Sequence, residues 1–107
     1  MEDQQVPHAA EGKVVTLCGS VRFQDEFMAV NERLTLQGCV VLSLGLFGLP
    51  EPSSELRELL ARVHFQKIRM ADEVYVVDPG GYVGESTRRE IAYAESLGKP
   101  VRYLSRS

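Results

Sequence analysis

Four short apolar runs, separated by stretches with helical periodicity, limit what this chain can fold into. The runs are Lys13–Cys18 (Lys-Val-Val-Thr-Leu-Cys), Cys39–Leu44, Glu73–Val77 and Val101–Leu104, each closed by glycine or a polar turn. Between the first two, Phe23, Phe27, Val30 and Leu34 recur at spacings of four and three, which predicts an amphipathic helix over Arg22–Gln37. Gly38 ends it in the usual C-terminal glycine position. After a Gly- and Pro-containing loop (Gly45–Pro52), Ser53 or Ser54 caps a helix running to about Met70. Its expected inward face is Leu56, Leu59, Leu60, Val63 and Ile68, or the stem of Lys67. A third helix spans about Ser86 to Leu97 and is closed by Gly98, with Ile91, Ala94 and Leu97 as its buried stripe.

Strands that alternate with helices require a parallel sheet covered on both faces. Right-handed crossovers then favour the strand order 2-1-3-4. The expected fold is therefore single-domain α/β: a flavodoxin-like, or Rossmann-like, three-layer sandwich around a four-stranded parallel sheet. In that order the winding reverses between the first and third strands, and ligands bind outside their carboxyl ends. The loops meeting there are Cys18–Arg22 and Asp78–Thr87, both glycine-containing.

With 107 residues the chain is one domain, read as a disordered tail over 1–12 and a folded unit over 13–107. No apolar run approaches the roughly 20 residues of a membrane span. The tail is polar and acidic and lacks the apolar region of a signal peptide. A cytoplasmic protein without a membrane partner is expected. A net charge of -3 argues against a nucleic-acid polymer as partner. It leaves room for a small anion held by local arginines. Cys18 and Cys39 fall at opposite ends of neighbouring strands, about 15 Å apart at the usual rise per residue, so reduced thiols are expected. There is no metal-ligand spacing and no cysteine-nucleophile signature. His8 lies in the tail and is set aside.

Glu90 is the leading candidate for chemistry. It falls within the inward stripe of the third helix, near the helix start, where the dipole would keep a carboxylate ionised. An ionised, partly desolvated glutamate suits a glycosyl nucleophile or a stabiliser of an oxocarbenium ion. Equally, Thr87-x-x-Glu90 is a capping box in which Glu90 returns to the helix start. Arg88 and Arg89 oppose the dipole in the same turn and call for a bound phosphate, a partner's acid, or simply solvent. Ser86, Thr87 and nearby amides offer donors to the same anion. On the facing loop, Cys18, Gly19, Ser20 and Arg22 supply amides, a hydroxyl and a guanidinium, although Ser20 also reads as a plain helix cap. Asp78, Gly81 and Gly84 shape the second loop, and Tyr82 either stacks on a flat ligand or lies in an interface. His64 reads as an acid or base across the crevice, or as a structural histidine.

With these residues in hand, the chain resembles the nucleoside 2-deoxyribosyltransferase superfamily, which includes the 2'-deoxynucleoside 5'-phosphate N-hydrolases. The resemblance runs from Val14 to Leu104. It is carried by Leu17-Cys18-Gly19-Ser20-Val21-Arg22, by His64 to Val77 with Met70-Ala71-Asp72, and by Gly84 to Leu104 with Glu90-Ile91-Ala92-Tyr93-Ala94 and Leu97-Gly98-Lys99-Pro100-Val101. It implies that Glu90 matches the glutamate that attacks the anomeric carbon, and that Ser20 and Arg22 match residues binding sugar or 5'-phosphate. It also places His64 where relatives carry an aspartate near the nucleobase, and Thr16 where the hydrolases have a tyrosine. Pro79-Gly80-Gly81 is similar only in design to the loop of the lonely-guy phosphoribohydrolases, since Thr87 lies further downstream than that motif allows.

The expectation is a protein acting on the N-glycosidic bond of a nucleoside or nucleotide. Glu90 and His64 would be catalytic, and Ser20, Arg22, Ser86 and Arg88 would hold sugar or phosphate. No metal or organic cofactor is expected, and open sheet edges suggest a homodimer or higher homo-oligomer. The competing readings are a nucleotide-binding or sensing module without turnover, and an interaction protein that assembles through Arg88, Arg89 and Tyr82.

Overall fold

The computed structural model describes residues 10–106. Strand β1 (Val14–Gly19) leads through a 3-10 turn at Val21–Phe23 into α1 (Gln24–Leu36) and then β2 (Val40–Leu42). Helix α2 (Ser54–Met70) returns to β3 (Glu73–Val77), and α3 (Glu85–Ser96) leads to β4 (Val101–Tyr103). Further 3-10 turns occupy Pro79–Gly81 and Leu104–Arg106. All strand pairs are parallel, and the order is β2-β1-β3-β4, as the crossover rules require. Residues 1–9, most of the expected tail, lie outside the described set. Residues 10–12 form a turn in which Gly12 N–H donates to the Gly38 carbonyl.

Alternation along the strands divides the core between the two faces. Val15 and Leu17 of β1, with Tyr75 and Val77 of β3, pack against Phe27, Val30 and Leu34 of α1. Cys18, Val74 and Val76 face the other way, against Ile68 of α2 and Ala94 of α3. Each large side chain fully buried here contributes about 1.5–3 kcal/mol of transfer free energy. The expected stripe of α1 is therefore realised, with Phe23 at its partly buried edge. Both cysteines are free and buried.

Two helices differ in detail from the apolar pattern. In α2 the side chains buried against the sheet are His64 and Ile68, whereas Leu59 and Val63 are 47% and 44% exposed. The i, i+4 row through Leu56, Leu60, His64 and Ile68 faces inward, so a polar residue occupies a place that apolar counting gave to Val63. Helix α3 begins at Glu85 with Gly84 as its cap, and Arg88 N–H closes the first turn on the Gly84 carbonyl at 3.0 Å. Thr87 is thus already helical, and buried, and Glu90 lies in the second turn. The Thr87–Glu90 capping box does not form. Leu97 is the C-cap and is largely exposed rather than part of the stripe.

The end of α2 is tied to its surroundings by side chains. Thr16 Oγ1 donates to the Lys67 carbonyl at 2.7 Å. Lys99 Nζ donates to the Arg69 and Ala71 carbonyls at 3.0 and 2.6 Å. These bonds satisfy carbonyls that a helix end leaves without intrahelical partners.

Strand β1 ends against β3 at the pair Gly19–Val77. A Cβ on Gly19 would meet the Val77 carbonyl oxygen at 2.7 Å and the Phe27 ring at 3.1 Å. Neither neighbour has room to retreat, since one is backbone and the other is core. Gly19→Ala is expected to lower the unfolding free energy by about 1–3 kcal/mol, the usual cost of overpacking. Urea denaturation checks this, and an unchanged midpoint would contradict the close approach.

Candidate active site

The site is assembled by three elements at the carboxyl ends of β1 and β3. The last side chain of β1 on the α2/α3 face is Cys18. The inward row of α2 delivers His64, and the second turn of α3 delivers Glu90. Cys18 Sγ lies 3.4 Å from His64 Nε2. The same Nε2 is 3.8 Å from Glu90 Oε1. Cys18 and His64 are buried, and the Glu90 side chain keeps 16% of its surface exposed, so it alone of the three meets solvent appreciably. Glu90 Oε1 is itself buried and has no hydrogen-bond partner among the described residues. Buried polar atoms are nearly always satisfied, so this oxygen is an exception that calls for an explanation.

Burial dominates the protonation of the trio. Desolvation pushes the Glu90 carboxyl up to about 7, partly opposed by a hydrogen bond from the Cys18 thiol and by the charge of Arg89. His64 is driven down to about 4 by burial and by the nearby Lys67 charge. The Cys18 thiol is raised well above its ordinary value by burial, with the charge and hydrogen bonding of Glu90 adding to it. At neutral pH the imidazole is therefore uncharged, and its 3.8 Å contact with Glu90 is neither an ion pair nor a hydrogen bond. The helix dipole was expected to keep Glu90 ionised, and burial works against it. The dipole acts within the first turn, whereas Glu90 is in the second, so its carboxyl is only partly ionised at neutral pH.

The loops that follow β1 and β3 touch each other. Ser20 accepts a hydrogen bond from Arg22 N–H at 3.2 Å and caps the 3-10 turn after β1. The Arg22 guanidinium lies 4.5 Å over the ring of Tyr82, which in turn meets Phe23 edge-on at 5.8 Å. Gly80 and Gly81 have φ of 63° and 83°, so the loop turns back through conformations that favour glycine. Gly84 lies beneath the Tyr82 hydroxyl, which would stand 3.5 Å from a Cβ placed there. Ser86, Arg88 and Arg89 are exposed, while Thr87 is buried under the helix.

Asp78 faces other partners. Its Oδ1 accepts from the Ser105 amide at 2.9 Å and its Oδ2 from the Ser105 hydroxyl at 2.7 Å. Both oxygens thus tie the second loop to the turn after β4. Local pattern does not mark Ser105, but register does: Val76 pairs with Tyr103, and Asp78 and Ser105 each follow two residues later. Thr16 is committed to the Lys67 carbonyl and clips α2 to the sheet. Two surface depressions, of about 500 and 340 Å³, lie on α2 around Ser53, Leu56 and Arg62 and on α1 around Met28 and Leu36. Neither includes any residue of the trio. No described helix is long and apolar enough to cross a membrane.

No family model matches the chain, and no curated protein matches it. Among solved structures it is similar to a 2-deoxyribosyltransferase from the psychrotolerant bacterium Bacillus psychrosaccharolyticus. The TM-score is 0.65 at 22% identity, over 84% of this chain and 70% of that one. At this identity the likeness establishes a shared fold, the nucleoside 2-deoxyribosyltransferase-like arrangement.

A carboxyl raised from 4.5 to about 7 holds its proton more tightly folded than unfolded. Its stabilising contribution is complete below about pH 4.5 and is lost as pH rises through about 7. Glu90→Gln removes that dependence. The stability gain of the variant over the parent is expected to be about 2 kcal/mol larger at pH 8 than at pH 5. The opposite shift of His64 is common to both proteins and cancels in the difference. Urea titrations at the two pH values check this, and a gain that does not change with pH would place Glu90 in water.

Proposed function

We propose that this protein cleaves or transfers at the N-glycosidic bond of a nucleoside or nucleoside 5'-monophosphate, with Glu90 as nucleophile. The observation that carries the reading is the buried, unpartnered Oε1 of Glu90 at the switch point of the sheet. The fold likeness to a nucleoside-processing transferase supports it.

In this reading the Glu90 carboxylate attacks the anomeric carbon of the sugar as the carbon–nitrogen bond breaks. The base departs with the bonding electron pair. The glycosyl ester on Glu90 is then opened by water in hydrolysis or by a second base in transfer, which releases the carboxylate. His64 stays neutral, so it donates a hydrogen bond to the leaving base rather than a full proton, which comes from solvent. Ser20, Arg22, Ser86 and Arg88 hold sugar hydroxyls or phosphate. Tyr82 offers its ring to the ligand, and Gly19, Gly81 and Gly84 let backbone approach it. Cys18 lies beside His64, its Sγ 3.4 Å from Nε2. Asp78 and Thr87 act through the loop and helix that they anchor. The protein works in the cytoplasm as a homo-oligomer and uses no cofactor. A nucleotide-binding module without turnover is the second reading, favoured by one observation: the Thr16 hydroxyl is already taken up by Lys67.

Incubating the purified chain with ribo- and deoxyribonucleosides and their 5'-monophosphates, and separating free base by chromatography, tests the proposal. Base release is expected, with kcat/KM rising as pH passes about 7 and levelling above, because the attacking form is the carboxylate. Glu90→Gln should lose at least about 10³-fold in kcat. Activity that survives this change disproves the mechanism, and nucleotide-dependent thermal stabilisation without base release selects the second reading.

A further inference from the structure

The trio at the head of β1 carries a second chemistry. Cys18 Sγ, His64 Nε2 and a Glu90 oxygen all lie within 4.8 Å of one another. We infer that Cys18, His64 and Glu90 together bind a single Zn2+ ion. Thiolate, imidazole and carboxylate are the three donor types zinc takes from proteins, at about 2.0–2.3 Å. Ligand pairs around a tetrahedral ion at those distances are about 3.3–3.6 Å apart. The Cys18–His64 separation of 3.4 Å already lies in that range. His64–Glu90 at 3.8 Å, and Cys18–Glu90 within 4.8 Å, close onto the ion by movement of the Glu90 side chain.

The donors also come from three separate elements fixed by the core, so the site is largely formed in the folded chain. Metal binding gives the orphaned Oε1 the partner it lacks. A single carboxylate beside a thiol and an imidazole does not suit magnesium or calcium, which prefer several oxygens. As zinc binds, the thiol proton passes to solvent, and so does the carboxyl proton in those molecules where Glu90 carries it. Glu90 has the most exposed side chain of the three, and the fourth ligand is a water that enters on its side.

Zinc held in this way takes up the carboxylate assigned above to glycosyl attack. The ion is accordingly an inhibitor of that chemistry and not its cofactor, a consequence that alone rests on the proposed function. Titration of the full-length reduced protein with Co2+ tests the binding. One equivalent is expected to produce a thiolate-to-cobalt charge-transfer band in the near ultraviolet, together with the intense visible bands of a tetrahedral ion, and Zn2+ should displace it. Cys18→Ser should abolish the band, and Cys39→Ser should leave it. Glu90→Gln, which keeps the shape of the side chain, should weaken zinc binding at least 10-fold in competition with a chromophoric chelator.

The site is overturned if no charge-transfer band appears, if the band survives Cys18→Ser, or if Glu90→Gln binds zinc as tightly as the parent. Where base release is observed, one equivalent of zinc should suppress it and EDTA should restore it; undiminished turnover with zinc bound would overturn the inhibitory assignment. A protein that binds cobalt through Cys18 but releases no base from any nucleoside would refute the glycosyl reading and leave the metal site standing. Base release without cobalt binding would do the reverse.

Discussion

The parallel pairing of β1 with β3, carried through to Gly19 and Val77, is the constraint on which the rest of the molecule depends. β1 lies in the interior of the sheet, hydrogen-bonded on both sides, and its alternation decides what faces each helix layer. Leu17 enters the α1 core, and Cys18, one residue later, must point at α2 and α3. The winding reversal at this pair opens the sheet's carboxyl end between two loops. Had Gly19 carried a side chain, the strands would part where the loops begin. The location of the site is thus a consequence of backbone packing, before any polar residue is considered.

Into that location the fold places a carboxyl group on unfavourable terms. Nothing among the described residues satisfies Glu90 Oε1, and burial outweighs the favourable influence of the Cys18 thiol and Arg89. A chain selected for stability alone would do better with a neutral or apolar side chain there. By contrast, Glu73 is as deeply buried as His64 but carries Lys13 at 2.8 Å and Arg102 at 3.0 Å, one on each oxygen. The protein can therefore pair a buried acid where the role is structural. The two glutamates thus differ in kind: one is paired on both oxygens and ties strands together, and the other has an oxygen with no partner among the described residues.

Much of the architecture was legible from local pattern, because its causes are local. The span of β3, the Ser53 cap of α2 and the inward stripe of α1 follow from apolar runs, a hydroxyl cap and a four-three spacing. Strand order followed from the handedness of crossovers. The start of α3 was not legible: two rules competed, a Thr-x-x-Glu capping box and an extended glycine cap. Burial of Thr87 decided for the glycine, which moved Glu90 a turn deeper. The inward placement of His64 was hidden because apolar counting passes over a polar residue in an inward row. Glu90 and His64 were identifiable singly by residue type. Their meeting with Cys18 was not, since Cys18 and His64 stand 46 positions apart and only the sheet brings them together.

The three side chains are held by different means, and this bears on how the site tolerates its unsatisfied oxygen. Cys18 is fixed by the ladder between two strands. His64 belongs to a helix whose C-terminal end is tied to Thr16 and Lys99. Glu90 stands between Thr87 and Ala94, both buried, on a helix whose first turn is closed only by backbone. None of these supports depends on the polar atoms of the trio themselves. The backbone positions of the three residues are set by packed neighbours, and each buried methylene lost costs about 0.8 kcal/mol. Apolar packing on both sides of the sheet therefore sets where the three side chains start from, whether or not Oε1 finds a partner.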